Sequence, residues 1–339
     1  MLARIAQELF WLGRDMTRAE HTARMLDGAF HADVAGGAGG ANSRGLAISW
    51  RGVLAVIGAK PPVPGQEQAG DEAGAWVPTL FTLSRGEIAP MLTLDTENPA
   101  AVVSCIYRAR ERARTLRDVI STEMWEALNG FYLSLGRYDL EAALATGPYS
   151  VYQEVKERCA LFWGVLEKTM LRDEARSFLE AGGRIEEADM VLRMLRIAVP
   201  AASLPDSTLD GSTAHEAEAL ALLQAVGGFQ AFRRSVHQVP DLPSVGSFLL
   251  YESTYPGSVV AALASLQHAL ETADQAPRSS SPVLRLGRLI ADLELQQRTQ
   301  QPTASLIELL AGVQDELGLI DHDIDERYFT IAGIAPLHI

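Results

Sequence analysis

The sequence predicts an all-α protein, a helical bundle built from two duplicated helical halves with a pseudo-twofold axis between them. Three observations lead there. Ala, Leu, Arg, Glu and Gln dominate between the chain breaks, and runs that alternate β-branched with polar residues are nearly absent. Gly- or Pro-rich breaks at 35–40, 61–74, 204–213, 239–246 and 275–282 divide the chain into stretches of helical length. Two colinear blocks of sequence recur.

The first helix is placed at 2–30. Its apolar arc holds Ile5, Leu9, Leu12, Met16, Ala19, Ala23 and Phe30, yet Phe10, Trp11 and Met25 lie on the far side with Arg14, Arg18 and His21. A helix apolar on both faces is surrounded by neighbours, so its arginines are enclosed and must find partners. Glu20 and Arg24 stand four apart in the order that favours an ion pair.

The next helix is placed at 99–128 and carries the densest positive charge of the chain. Ala109, Ala113, Leu116 and Ile120 form one apolar arc, Arg110, Arg114, Arg117 and Ser121 flank it, and Glu111 and Asp118 fall nearly opposite. Arginines beside an apolar seam suit planar anions, because their fork matches a carboxylate or phosphate bidentately. Trp125 reads as a core anchor ahead of a stacking platform. Further helices follow at 150–172, 173–198, 214–236, 257–274, 282–299 and 303–328.

The repeat sets residues 12–27 on 181–196. Gly13, Ala19, Arg24, Met25 and Leu26 meet Gly182, Ala188, Arg193, Met194 and Leu195, and Glu20 meets Asp189. A second block sets 91–105 on 248–262, where Leu92, Pro99, Val102 and Val103 meet Leu249, Pro256, Val259 and Val260, and Asp95 meets Glu252. The halves, 1–148 and 149–339, differ in charge: Arg108, Arg110, Glu111 and Arg112 fall opposite Ser265, Gln267, His268 and Ala269. The Arg/Glu cluster therefore belongs to the first half. The second is a degenerate copy, and both can form one compact domain.

Composition removes several function classes. A net charge of −14 and a pI near 5.0 give no electrostatic support to non-specific nucleic-acid binding. Cys105 and Cys159 match no metal or redox spacing, and so few cysteines imply a reducing compartment. The N-terminus is charged too early for a signal peptide, and the apolar stretch around Arg51 is too short to span a membrane. A cytoplasmic location is expected. No HExxH, GxSxG, P-loop or GxGxxG is present. Asp321, Asp323 and Asp325 alternate near the C-terminus, but Ala332 stands where a calcium loop needs a bidentate Glu, so no metal is expected.

The stretches MLARIAQELFWLGRDMTRAEHTARMLD and SCIYRARERARTLRDVISTEMWEALN resemble the alpha-E domain family, and SFLEAGGRIEEADMVLRMLR and FLLYESTYPGSVV extend the resemblance over essentially the whole chain. That family is bacterial, all-helical, of unassigned activity and named for a Glu-Arg motif. Its members are encoded beside, or fused to, circularly permuted ATP-grasp proteins of the amide-ligase type, often with a transglutaminase-like protein nearby. The resemblance implies a role in a peptide- or amide-forming system, with ATP and Mg used by the ligase and no cofactor bound directly. It places motif residues at Gly13, Arg14, Arg18, Ala19, Glu20 and Arg24, then at Arg110, Glu111, Arg114, Arg117, Asp118, Ser121, Glu123, Trp125 and Asn129. Asp15 and Thr17 depart from the family pattern. So do Gly183 and Glu186-Glu187 in the second copy, which favours one site on the first half.

Two functional readings follow. In one, the protein is a non-catalytic helical partner of the ligase, and Arg14, Arg18, Glu20, Arg24, Arg110, Glu111, Arg114, Arg117, Glu123, Trp125 and Asn129 dock it or present a peptide or amino-acid substrate. In the other, the cluster is an active site for amide-bond formation or hydrolysis, with Glu20 or Glu111 as general base and Arg14, Arg110 or Arg114 clamping an anion. An internal ion-pair network accounts for the same residues without any ligand.

Overall fold

The structure, a computed structural model, describes residues 1–35, 50–57, 85–136, 142–143, 147, 149–202, 211–299 and 303–330. Every regular element among the described residues is helical. In chain order these are α1 (Ala3–Ala35), α2 (Trp50–Ile57), α3 (Arg85–Thr93), α4 (Val102–Thr115), α5 (Thr122–Leu135), α6 (Tyr149–Thr169) and α7 (Glu174–Ala202). Then come α8 (Gly211–Ala225), α9 (Phe229–Ser235), α10 (Leu242–Tyr251), α11 (Val259–Ala273), α12 (Ser281–Thr299) and α13 (Thr303–Ile324), which runs into a wider π-helical turn, Asp325–Phe329. The break at 61–74, and most of those at 35–40 and 204–213, lie outside the described residues. No described helix is long and apolar enough to cross a membrane.

Three boundaries differ from the sequence expectation, each for a local reason. The helix expected at 99–128 is two helices. Leu116 and Ile120 bury themselves in a turn whose amides at Val119 and Ile120 both donate to the Leu116 carbonyl, and Ser121 then caps α5 by accepting from the Met124 amide at 3.1 Å. The helix expected at 214–236 is broken at Gly227, which has φ of +72°. There the Gly227 and Gly228 amides donate back to Gln224 and Leu223, a Schellman stop. Conversely, the break expected at 239–246 contains the start of α10. Asp241 and Ser244 exchange side-chain bonds to each other's amides, with a proline in the first turn, so the polar cluster is a capping box.

The core is organised by α1 and α7, which cross at the centre of the bundle. Glycine permits the crossing. A Cβ on Gly13 would strike the Leu179 carbonyl oxygen and lie 2.8 Å from the Gly183 nitrogen, and a Cβ on Gly182 would strike the Phe10 carbonyl. Leu9, Leu12, Met16, Ala19, Ala23 and Met25 are fully buried, as a helix apolar on both faces requires.

The neighbours of the two long helices correspond. Helix α1 packs on α4 and α6, with α5 bridging that pair, and α7 packs on α11 and α13, with α12 bridging. Helix α2, which follows α1, lies on α7, whereas α8, which follows α7, lies on α1. Local details match too. Arg24 pairs with Glu20 and Arg193 with Asp189, each across one helical turn. Asp95 accepts from the amide of Glu97, and Glu252 from that of Thr254.

The C-terminal turn closes one end of the crossing. The Phe329 ring sits 5.3 Å from Phe10, Tyr328 sits 5.3 Å from Phe178, and Asp274 accepts from Tyr328 Oη at 2.8 Å and from Arg327. Burial alone would raise the Asp274 pKa, but Arg327, the Ala276 amide and Tyr328 outweigh it and hold the group at about 2. A carboxylate depressed in the folded state adds stability that is complete above its unfolded value of about 3.9 and disappears as pH falls through the folded value. We expect the turn to loosen between about pH 4 and pH 2, measured as pepsin cleavage at Tyr328 and Phe329. Asp274→Asn should flatten the response in that window, and an unchanged acid profile in that variant would count against this assignment.

Candidate functional site

The arginines and carboxylates singled out in the sequence fall into three separate groups. The first is a buried clasp where α1 crosses α7. Arg14 Nε donates to Glu186 Oε2 at 3.0 Å, and its Nη1 donates to both oxygens of Asp321 at 2.8 and 2.9 Å. Arg18 donates to the two oxygens of the same Glu186 at 2.5 and 3.0 Å. Glu186 is wholly buried. Desolvation pushes its pKa up, yet the guanidiniums of Arg18 and Arg14 more than reverse this, and the net displacement is downward. Burial lowers the pKa of Arg14 and Arg18, but Glu186, joined by Asp321 at Arg14, outweighs it and displaces both upward. The Arg14 guanidinium also lies 4.8 Å from the Trp11 ring centroid.

Asp15 extends the clasp to α4. Arg108 donates to Asp15 Oδ1 at 3.0 and 2.6 Å, and Arg112 bridges Asp15 Oδ2 at 3.3 Å and Glu8 at 2.7 Å. Burial dominates at Asp15 and raises its pKa despite both arginines. Arg108, Arg112, Asp15, Glu186 and Asp321 were not among the expected site residues, although they do most of the pairing. The i to i+4 spacing of Arg108 and Arg112 was the available signal, since it places both on one face of α4.

The second group is Glu20 with Arg24. Arg24 Nε and Nη2 both donate to Glu20 Oε1, at 3.0 and 2.7 Å. This pair stands beyond the clasp and lines a cleft of about 400 Å³ between α1, α6 and α7.

The third group lies on α4 and α5. Arg110 Nε donates to Asn129 Oδ1 at 2.9 Å and its Nη1 to Glu111 at 2.6 Å, while Arg114 Nε donates to the other Glu111 oxygen at 3.0 Å. From its place nearly opposite the apolar arc, Glu111 reaches with its long side chain to both arginines. Arg110 lies over Tyr132 at 4.8 Å and near Trp125 at 5.7 Å, and Arg117 lies over Trp125 at 5.3 Å. Tyr107, half-exposed, pairs with Tyr132 at 6.2 Å. The result is a ladder of alternating aromatic rings and guanidiniums. Arg117 reaches it from the turn after α4, not from the helix itself. Trp125 both packs on the core and carries the two cations. Glu123, exposed in the first turn of α5, faces solvent.

The acidic C-terminal run is drawn apart by its helix. Asp321 binds Arg14, Asp323 binds Arg285 and Ser281, and Asp325 lies in the closing turn. Among the described residues no group of three or more His, Cys, Asp and Glu is placed to hold a metal. Cys105 and Cys159 are buried free thiols, and burial pushes Cys105 up to about 12.

Comparison with known proteins places this arrangement. Uncharacterized proteins of Mycobacterium bovis and Mycobacterium tuberculosis are each 24% identical to the chain over 332 residues, covering 93% of it and 35% of their own length. The chain thus spans about a third of the curated relatives it matches. No solved structure matches. The model of the Alpha-E family, described as a predicted alpha-helical domain with a conserved ER motif, matches residues 1–329. Glu111-Arg112 supplies such a Glu-Arg pair, with Glu111 in the surface ladder and Arg112 in the clasp to α1. With that match running over nearly its whole length, the chain belongs to the alpha-E family.

Proposed function

We propose that the protein is a non-catalytic helical partner of a circularly permuted ATP-grasp amide or peptide ligase, which it engages through the Arg–aromatic ladder of α4 and α5. One observation carries this reading. Arg14, Arg18 and Arg24 of α1 are committed to internal carboxylates, whereas Arg110, Arg114, Arg117 and Trp125 share a solvent-facing surface rich in the residue types that anchor protein interfaces. Both candidate bases, Glu20 and Glu111, already accept from arginines, which lends the enzyme reading less support. In this reading ATP and Mg belong to the ligase, no cofactor binds this chain directly, and a transglutaminase-like protein or a peptide substrate joins in the cytoplasm.

The same proposal includes a duplicated origin with a pseudo-twofold axis through the glycine crossing. Its support is reciprocity: Gly13 meets the residue three before Gly182, and Gly182 meets the residue three before Gly13. In this reading α6 completes the first half, with the division between Thr169 and Glu174; the corresponding neighbours of α1 and α7 support it.

Co-expression with the ligase is the test. Arg110→Ala, Arg114→Ala and Arg117→Ala combined should weaken the co-purified complex about a hundredfold while leaving the melting temperature nearly unchanged. A ligase that binds the triple variant as tightly as the unaltered protein, or turns over at full rate without it, would sink the proposal.

A further inference from the structure

The cleft beside Glu20 carries chemistry that neither the clasp nor the ladder uses. It is lined by His21, Glu20 and Arg24 from α1, Trp163 from α6, Glu187 from α7, and Tyr255 from the turn before α11. His21 is 7% exposed, and its Nδ1, closed off from solvent, has no hydrogen-bond partner among the described residues. Desolvation lowers its pKa, so a neutral ring that does not repel a cation borders the cleft.

The carboxylates around it are half used. Glu20 gives Oε1 to Arg24, and Glu187 gives Oε2 to Arg184 at 2.6 Å, which leaves one oxygen on each without a donor. Glu180 and Glu167 stand on the rim, held from behind by Arg176 and, for Glu167, also by Arg172. Four carboxylates, Glu20, Glu167, Glu180 and Glu187, line the cleft against two guanidiniums, Arg24 and Arg184, so its lining is net negative.

The walls are flat and apolar. The Trp163 indole lies against the backbone of Gly183, where a Cβ would stand 2.6 Å from its Cη2, so only glycine lets the ring seat there. The Tyr255 hydroxyl donates to the Val226 carbonyl at 2.8 Å, which turns the ring into a fixed opposite edge.

We propose that this cleft binds a primary alkylammonium group, its apolar stem beside Trp163 and Tyr255 and its N–H donors directed to Glu20 and Glu187. Acceptors without donors, next to an aromatic wall that also attracts cations, match an ammonium better than a carboxylate or phosphate. A volume of about 400 Å³ holds a lysine-sized side chain with room for part of its backbone. This site is independent of ligase docking, so either proposal can fail without the other.

The test uses three probes of one chain length on the full protein at low salt, followed by ligand-observed NMR and calorimetry. Cadaverine should bind saturably with a Kd of about 1 mM or tighter, 1,5-pentanediol about tenfold more weakly, and glutarate more weakly still. Glu187→Gln, whose amide still fits beside Arg184, should weaken cadaverine about tenfold without moving the melting temperature. N-acetyl-lysine methylamide binding more tightly than cadaverine supports the site with a peptide lysine as its source, and the reverse order supports it with a free diamine. Equal binding of the three probes, no saturation by about 10 mM cadaverine, or tighter glutarate binding would overturn the proposal. Those wild-type arms decide it even if the variant misfolds.

Discussion

Gly182→Ala should lower the stability of the bundle by more than about 3 kcal/mol, with a fall in Tm of about 5–10 °C. The added methyl would meet the Phe10 carbonyl, its carbon and its Cα, all of them backbone. No rotamer change can relieve that contact, so α1 must move away from α7 along a crossing lined by fully buried Leu9, Leu12 and Met16. Separating packed helices forfeits dispersion contacts on both, which is why the cost exceeds ordinary overpacking. Gly246→Ala is the control. A Cβ there meets nothing within 4 Å, and inside a helix alanine is favoured over glycine by roughly 0.5–1 kcal/mol. Thermal and urea unfolding of the two variants should differ in sign, and equal stability would refute the close-crossing argument.

Glu186→Gln should cost about 3–5 kcal/mol, because it strands Arg18 and half of Arg14 beside a neutral amide inside the bundle. The desolvation of Arg18 is then uncompensated, whereas Arg14 keeps Asp321. Removing charge from both sides is expected to be milder. Arg18→Met with Glu186→Gln should recover at least about 1 kcal/mol over Glu186→Gln alone, a coupling that urea denaturation of the double-mutant cycle measures directly. Strict additivity of the two substitutions would show that Arg18 and Glu186 do not depend on each other. The pH response has a fixed sign: Glu186 is displaced downward in the folded state, so its contribution is present above the unfolded carboxylate value and is lost as pH falls through the folded one.

Helix content was legible because period and breaks agree, and the apolar arcs of α1 and α4 are buried as their spacing requires. What escaped was punctuation written in capping residues. Ser121 and Asp241 begin helices through side-chain bonds that resemble loop composition until the amides they accept from are known. The candidate site was legible in its residue types and not in its pairing. Arg14 and Arg18 announced a need for carboxylates, but Glu186 lies 172 residues from Arg14 and Asp321 lies 307 away, separations at which spacing carries no information. The glutamate that supplies the clasp, Glu186, stands where the second copy departs from the family pattern. The cleft was invisible for the same reason, since Trp163 and Tyr255 come from helices and turns that only the fold brings to His21.

The exchange of α2 and α8 between the two long helices has a temporal side. Helix α1 leans on α7 and α8, and its arginine at position 14 is satisfied only when residue 321 arrives. At about 5–20 residues per second on the ribosome, the first helix is complete about 15–60 seconds before that partner is made. Until α4, α6 and α7 have followed it, α1 exposes apolar surface, and Arg14 lacks Asp321 for the whole interval. An early segment of the molecule is thus among the last to reach its final surroundings.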